Sequence, residues 1–303
     1  MTPNAEPAIA VGIMAYNEAG NIGRTLRSLQ EQTVAARIRR IVVVASGCTD
    51  ETAAIVRDAA ATDRRIELIE EPVRAGKTIA INRFLALVDE PLIVMPSADL
   101  ILESTAIERL VEPLADPRVG MAGAHPIPTN RTDTFIGFAV TLMWELHHRI
   151  ASVDPKMGEL VAFRNQVGLL DPNVLSDELS IENQLRRAGL RIAYAPDARV
   201  YNRGPETLRE FIVQRERWCA ANMQIERRFA TRVSTLSRNR VLRAALGLIA
   251  ETRPRPDWLL LAAALELWCR FRAYVSLAIM RRGDRYRIWE PLRSTKTVAP
   301  EKS

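Results

Sequence analysis

The chain has 303 residues, 48% of them hydrophobic, enough apolar material for one large domain or two smaller ones, and it is neither disordered nor internally repetitive. Its formal net charge is +6 and its isoelectric point about 9.6. That balance suits phosphorylated small molecules or an anionic membrane surface. With no zinc-finger spacing and no arginine-rich tail, nucleic acid is not expected as a partner.

Cys48, Cys219 and Cys269 lie far apart and form no CxxC, so a reduced compartment is expected. The polar N-terminus lacks a basic and apolar leader, and no apolar run reaches about 18 residues, so neither a secretory signal nor a simple membrane span is expected. A cytoplasmic location follows.

In chain order, Ala8–Met14 predicts a strand, then a polar loop at Tyr16-Asn17-Glu18 and helical spacing over Asn21–Leu29. Ile41–Val44 predicts a second strand, Ser46–Asp50 a turn, and Glu51–Ala61 a helix. Arg65–Glu70 reads as a third strand and Thr78–Leu87 as a helix. Leu92–Met95, bounded by Pro91 and Pro96, reads as a fourth, buried strand. This alternation predicts a mostly parallel sheet covered on both faces. Each strand's carboxyl end carries polar residues, and in such a sheet those ends converge on a ligand crevice. Asp99, just past the fourth strand, reads either as a cap for a helix at Thr105–Leu114 or as a carboxylate for a divalent cation. Gly76-Lys77-Thr78 is not a P-loop, because that motif needs a glycine at position 71, which is Glu71.

Ala15-Tyr-Asn-Glu18, Ala45-Ser-Gly-Cys-Thr-Asp50, Gly76-Lys-Thr-Ile-Ala-Ile-Asn82 and Ser97-Ala-Asp99 stand in this order. Together they resemble the family 2 glycosyltransferases, inverting enzymes of the GT-A fold, whose usual motifs are P-x-Y-N-E, D-D-G-S-T-D, G-K-x-x-A-x-N and D-x-D. The resemblance implies that Tyr16, Glu18 and Asp50 line the nucleotide pocket. It implies that Lys77 and Asn82 help hold the donor, with Ser97 on the donor side, and that Asp99 is the carboxylate for Mg²⁺ or Mn²⁺. Two departures bear on function. Ala45 and Ser46 replace two carboxylates, and Ser97 replaces the first acid of D-x-D, which leaves the metal to one carboxylate and the diphosphate itself.

Val119–Ala124 predicts another strand and Phe135–Ile150 a helix. His147 and His148 are adjacent on that helix and point about 100° apart. With no third His or Cys nearby in sequence, a metal site is not expected there. Trp144 and His148, at i and i+4, read either as packing residues or as neighbours of an acceptor. Glu159, Arg164 and Asn165 are polar groups in an apolar context. Asp177 and Glu178 open a helix over Leu179–Ala188, where Asp177 reads as an N-cap. Arg191–Tyr194 is a strand, and Gln214, Arg217 and Trp218 share one face of a helix over Thr207–Ala230.

The run from the acidic pair through R-A-G and A-P-x-A to Q-x-x-R-W resembles the acceptor half of the same family, in the form typical of membrane-associated cellulose and hyaluronan synthases. The resemblance implies that Asp177 is the general base for the acceptor hydroxyl, with Glu178 assisting. It also implies that Gln214, Arg217 and Trp218, with Glu159, face the acceptor and the leaving diphosphate. Helices are expected over Asn239–Ile249 and, capped by Asp257, over Trp258–Arg282. Arg281, Arg282, Arg285, Tyr286, Arg287 and Trp289 then form a basic and aromatic stretch of the kind found at membrane interfaces.

The sequence thus predicts an α/β GT-A catalytic domain over residues 1–205, a Rossmann-like mostly parallel sheet with helices on both faces, and a helical C-terminal region over 206–303. The implied reaction is inverting transfer of a sugar from a nucleotide sugar, first a UDP-sugar, to a lipid-linked or glycan acceptor, peripheral to the inner face of the cell membrane. Two alternatives are a catalytically weak GT-A partner subunit, favoured by Ala45 and Ser97, and a nucleotidyltransferase, opposed by Asp177 and the Q-x-x-R-W residues.

Overall fold

The computed structural model describes residues 6–229, 237–252, 254–279 and 292–296. Among these, eight strands form one sheet in the order β3-β2-β1-β4-β7-β6-β8-β5. The strands are β1 (Ile9–Ala15), β2 (Ile38–Ser46), β3 (Ile66–Glu71), β4 (Leu92–Pro96), β5 (Ile101–Leu102), β6 (Val119–Pro128), β7 (Leu160–Arg164) and β8 (Arg191–Asn202). The pairs β1–β2, β2–β3, β1–β4 and β6–β8 are parallel, whereas β7 is antiparallel to both neighbours and β5 is antiparallel to β8.

The central strands are apolar throughout because both sheet faces are covered. Successive side chains point to opposite faces, and the packing follows. Ile9, Val11, Ile13, Ile41, Val43, Leu92 and Val94 face a core closed by α1 (Ile22–Gln30), α2 (Thr52–Thr62) and α4 (Ala106–Val111). Ala10, Val42, Val44, Ile93 and Met95 face the opposite core, closed by α3 (Lys77–Leu85) and α6 (Asp177–Arg187). Gly12 lets α3 lie close, since a Cβ there would stand 2.5 Å from the Phe84 ring.

The parallel alternation matches the sequence expectation. Other elements do not, among them the two-residue β5. Residues 160–164 form β7 at the centre of the sheet, where no strand was expected. The strand expected at Arg191–Tyr194 runs on to Asn202, passing Pro196 with a register shift where β6 and β8 pair. The cap of α6 is Ser176, whose side chain accepts from the Leu179 N–H, so Asp177 lies inside the first turn and is buried.

Beyond the sheet, α5 (Phe135–Ala151), α7 (Leu208–Phe229), α8 (Arg238–Thr252) and α9 (Pro256–Tyr274) pack together. Ion pairs do much of the docking. Arg215 of α7 holds Glu266 of α9 through two contacts of 2.6 and 2.9 Å, and Arg272 of α9 holds Glu216 at 2.8 Å. Trp258 sits edge-on to Phe135 and Phe138 of α5. Arg255, not Asp257, occupies the cap position of α9, and the helix passes into a π turn over Val275–Ile279. The basic stretch Arg281–Trp289 lies outside the described residues. No helix among the described residues is long and apolar enough to cross a membrane.

Candidate active site

The carboxyl ends of β1, β2 and β4 open on the same edge of the sheet, and the loops that follow them build one crevice. Asn17 takes a positive φ of 50° and Gly47 one of 64°. At Gly47 a Cβ would also stand 2.5 Å from the Arg74 backbone nitrogen, so only glycine fits there without strain. The two loops are tied together. Asp50 accepts from the Ala19 N–H at 3.0 Å, from the Thr52 N–H at 3.1 Å and from the Thr52 hydroxyl at 2.5 Å, while the Glu18 N–H donates to the Thr52 hydroxyl at 2.7 Å. Asp50 therefore shapes the Tyr16–Glu18 loop, and the Arg74 guanidinium covers the Tyr16 ring at 3.7 Å.

Strand β7 supplies the next group. Being antiparallel to β4, it begins where β4 ends, with Leu160 opposite Pro96. Its preceding residue, Glu159, is thereby set against Ser97: the Ser97 N–H donates to the Glu159 carbonyl at 3.0 Å and its hydroxyl to Glu159 Oε2 at 2.9 Å. Glu159 thus stands on the Asp99 side of the crevice. Burial and the nearby Asp99 charge push its carboxyl up to about 7. Burial and Asp99 do the same to Glu18, also to about 7, against the opposing charge of Lys296. Asp99 is itself raised by burial, with Lys296 and Lys77 opposing.

This crowding of carboxylates is the donor chemistry a hard divalent cation takes. Among the described residues no three His, Cys, Asp or Glu side chains converge on one point. Asp99 and Glu159 therefore fit such an ion only in company with oxygens from a bound ligand.

On the α6 side, Lys77 at the start of α3 reaches across to the first turn of α6. Its ammonium is 2.8 Å from Asp177 Oδ2 and 3.0 Å from Glu178 Oε1. Burial opposes the charge on Lys77, but Asp177 and Glu178 more than offset it and hold the ammonium above the ordinary lysine value. Burial and then the Glu178 charge raise Asp177 to about 6, with Lys77 opposing. Burial works against Glu178 as well, but Lys77 prevails and leaves its carboxyl below the ordinary value. Arg217, from α7, lies within the field of Glu159, Glu178 and Asp177, while burial draws its guanidinium down to about 9, still protonated at neutral pH.

The residues singled out from the sequence therefore divide. Tyr16, Glu18, Asp50, Lys77, Ser97, Asp99, Glu159, Asp177, Glu178 and Arg217 are joined through hydrogen bonds, ion pairs and neighbouring charges, in part by way of Thr52 and Lys296. Asn82 has a different place: its amide nitrogen donates to the Leu170 carbonyl at 2.8 Å and its oxygen accepts from the Leu170 N–H at 2.7 Å, which fixes the segment leading to α6. Gln214 is half-buried on α7. Trp144 is buried in an apolar cluster with Val140 and Phe211, with its ring 5.5 Å from that of Trp218.

His148 Nδ1 lies 2.9 Å from the Tyr194 hydroxyl, away from the carboxylates. The sequence shows no third histidine near this pair along the chain; in space His125 arrives from β6 and stacks on His148 with ring centroids 3.9 Å apart. Two crevice residues went unforeseen, Arg74 and Lys296. Arg74 stands three residues before Lys77, but nothing local marks it as the cover of Tyr16.

The chain matches the glycosyltransferase-like family 2 over residues 7–221 and belongs to that family. It is 25% identical over 240 residues to an N-acetylglucosaminyltransferase of Rhizobium sp. (strain N33), covering 72% of this chain and 53% of the relative. A poly-beta-1,6-N-acetyl-D-glucosamine synthase of Staphylococcus aureus (strain MSSA476) is 22% identical over 226 residues, covering 70% of this chain and 54% of the synthase. The chain thus spans about half the length of these curated relatives. Among solved structures it is similar to the mannosyltransferase PcManGT from Pyrobaculum calidifontis in complex with GDP-Man and Mn²⁺. That likeness has a TM-score of 0.63 at 23% identity, over 92% of this chain and 87% of that one, and it establishes the GT-A fold.

Proposed function

We propose that this family 2 glycosyltransferase moves a sugar from a nucleoside-diphosphate donor to a hydroxyl of a glycan or lipid-linked acceptor in one inverting displacement. The observation that carries this reading is the meeting of Lys77 with Asp177 and Glu178. It joins the donor motif of α3 to the acidic pair of α6 at a single point. Asp177 is the general base, buried and set in the first turn of a helix, where the helix dipole favours a carboxylate. Glu178 holds Lys77, and Lys77 in turn orients Asp177. Arg217 brings positive charge to the side of the crevice where a diphosphate would leave.

Asp99 and Glu159 are the residues that would hold Mg²⁺ or Mn²⁺, shared with the diphosphate of the donor. When bound, the ion would supply Lewis-acid stabilisation of the leaving group. PcManGT was solved with GDP-Man and Mn²⁺ and a glucosyl-3-phosphoglycerate synthase from Mycobacterium tuberculosis with UDP-Glc and Mn²⁺, which supports this choice of donor and ion. A UDP-sugar is the first donor to test.

The C-terminal helices belong, on this reading, at an anionic membrane surface on the cytoplasmic side. Leu260, Leu261, Leu267, Trp268 and Phe271 stand exposed on α9 and support it. Sedimentation with anionic vesicles tests this, and protein that stays in the supernatant counts against it.

The reaction is tested by incubating the protein with a panel of nucleotide sugars and candidate acceptors and reading released nucleoside diphosphate. Release that needs an acceptor supports the proposal. Tight nucleotide binding with no turnover of any donor would instead make the chain a binding subunit.

A further inference from the structure

The far end of the chain returns to the donor crevice. The turn Arg293–Thr295 is fixed on two sides. The Thr295 carbonyl accepts from Asn21 Nδ2 at 2.9 Å, and that same amide donates to Glu18 Oε2 at 2.9 Å. On the other side, Ser294 donates to Glu210 of α7 through its hydroxyl at 2.6 Å and its N–H at 3.1 Å, and its hydroxyl accepts from the Glu206 N–H at 3.2 Å. Thr295 is buried. The turn thus spans from the start of α1 to the start of α7.

Lys296 follows directly. Its ammonium pairs with the Glu18 carboxylate and donates to the Tyr16 carbonyl at 3.2 Å, and its charge acts on Asp99. Pinning the tail does not account for this. Ser294 and Thr295 already hold the turn through hydrogen bonds, whereas ordering a lysine side chain costs rotamer entropy. The ammonium meets the Glu18 carboxylate and the Tyr16 carbonyl and lies within the field of Asp99, among residues read as the donor side. Lys77, the lysine of the Gly76–Asn82 stretch, is ion-paired with Asp177 and Glu178, and its charge acts on Asp99 less strongly than that of Lys296. Ser97 stands at the first position of the Ser97-Ala-Asp99 stretch, so that stretch offers a metal one carboxylate, Asp99.

We propose that Lys296 is a donor-binding residue, a cation brought by the C-terminal tail to the diphosphate of the nucleotide sugar. Glu18 and the Tyr16 carbonyl hold its ammonium in place, and the tail forms part of the donor site's wall. This rests on reading the crevice as the donor site.

The test is calorimetric titration of UDP, GDP, ADP and dTDP, with Mg²⁺ present, into the full chain and its Lys296→Met and Lys296→Arg variants, beside thermal unfolding without nucleotide. The expected result is nucleoside diphosphate binding by the wild type, weakened about 10- to 100-fold in Lys296→Met, the loss of one charge-assisted contact. Lys296→Arg should bind close to wild type. Wild-type affinity in Lys296→Met overturns the proposal, including where its melting temperature falls, which would make Lys296 a structural pin. Tighter binding in Lys296→Met overturns it too, since the lysine would then be a plug. If the wild type binds none of the four nucleotides, the donor-site reading itself falls, and Lys296 with it.

Discussion

Two groups of acids border the same crevice and are balanced in different ways. Asp177 and Glu178 share one lysine, and the three charges form a compact set at the meeting of α3 and α6. Glu18, Asp99 and Glu159 are crowded instead: burial and then Asp99 raise both of the others, and Lys296 is the cation paired with Glu18. The first group is arranged to keep a carboxylate ionised near neutral pH and ready to take a proton. The second gathers three carboxyl groups, whose negative charge a divalent ion would offset. On the proposed function, base chemistry belongs to the first and donor chemistry to the second.

Breaking the first group should have the largest effect. Asp177→Asn keeps the shape and removes the proton acceptor, so turnover should fall about 10²- to 10⁴-fold, the usual contribution of a general base. Nucleoside diphosphate affinity, measured by titration, should change little. A large loss of binding with little loss of turnover would assign Asp177 to the wrong group.

Asp99→Asn should come next, lowering activity about 10- to 100-fold, the loss usual for metal-site partners. The concentration of Mn²⁺ needed for half-maximal activity should rise with it. An unchanged metal requirement would remove Asp99 from the donor group.

The smallest effect should be on stability. Glu159 has a folded-state value of about 7, above its ordinary one of 4.5. A carboxyl raised in this way favours the folded state while protonated, and that advantage is lost as pH rises through about 7. Glu159→Gln should therefore be more stable than the wild type at pH 8, by about 1–2 kcal/mol, with the difference gone below about pH 5. Melting temperatures across that range decide it. A variant less stable at pH 8 would mean that burial and the Asp99 charge do not raise the Glu159 carboxyl.

The donor half was legible in the sequence because its strands are short apolar runs with turn residues at their ends, and its polar residues follow those runs. Long-range pairing was not legible. The contact of Glu159, grouped from the sequence with the acceptor and diphosphate residues, with Ser97 was not legible, since an antiparallel insertion such as β7 has no mark in a strand-helix rhythm. Pro196 signalled the end of a strand that in fact continues through a register shift. Asp177 read as a cap because Ser176, one residue earlier, caps equally well, and only side-chain geometry separates the two. Lys296 and Glu18 lie 278 residues apart, so no local pattern could join them. The histidine cluster was missed for the same reason, with His125 and His148 on different elements.

The central claim is a single displacement with Asp177 as base, and the anomeric configuration of the transferred sugar tests it most directly. With an α-linked nucleotide sugar as donor, proton NMR of the freshly formed product should show a β linkage. An α-linked product would mean a retaining route and would contradict the role given to Asp177.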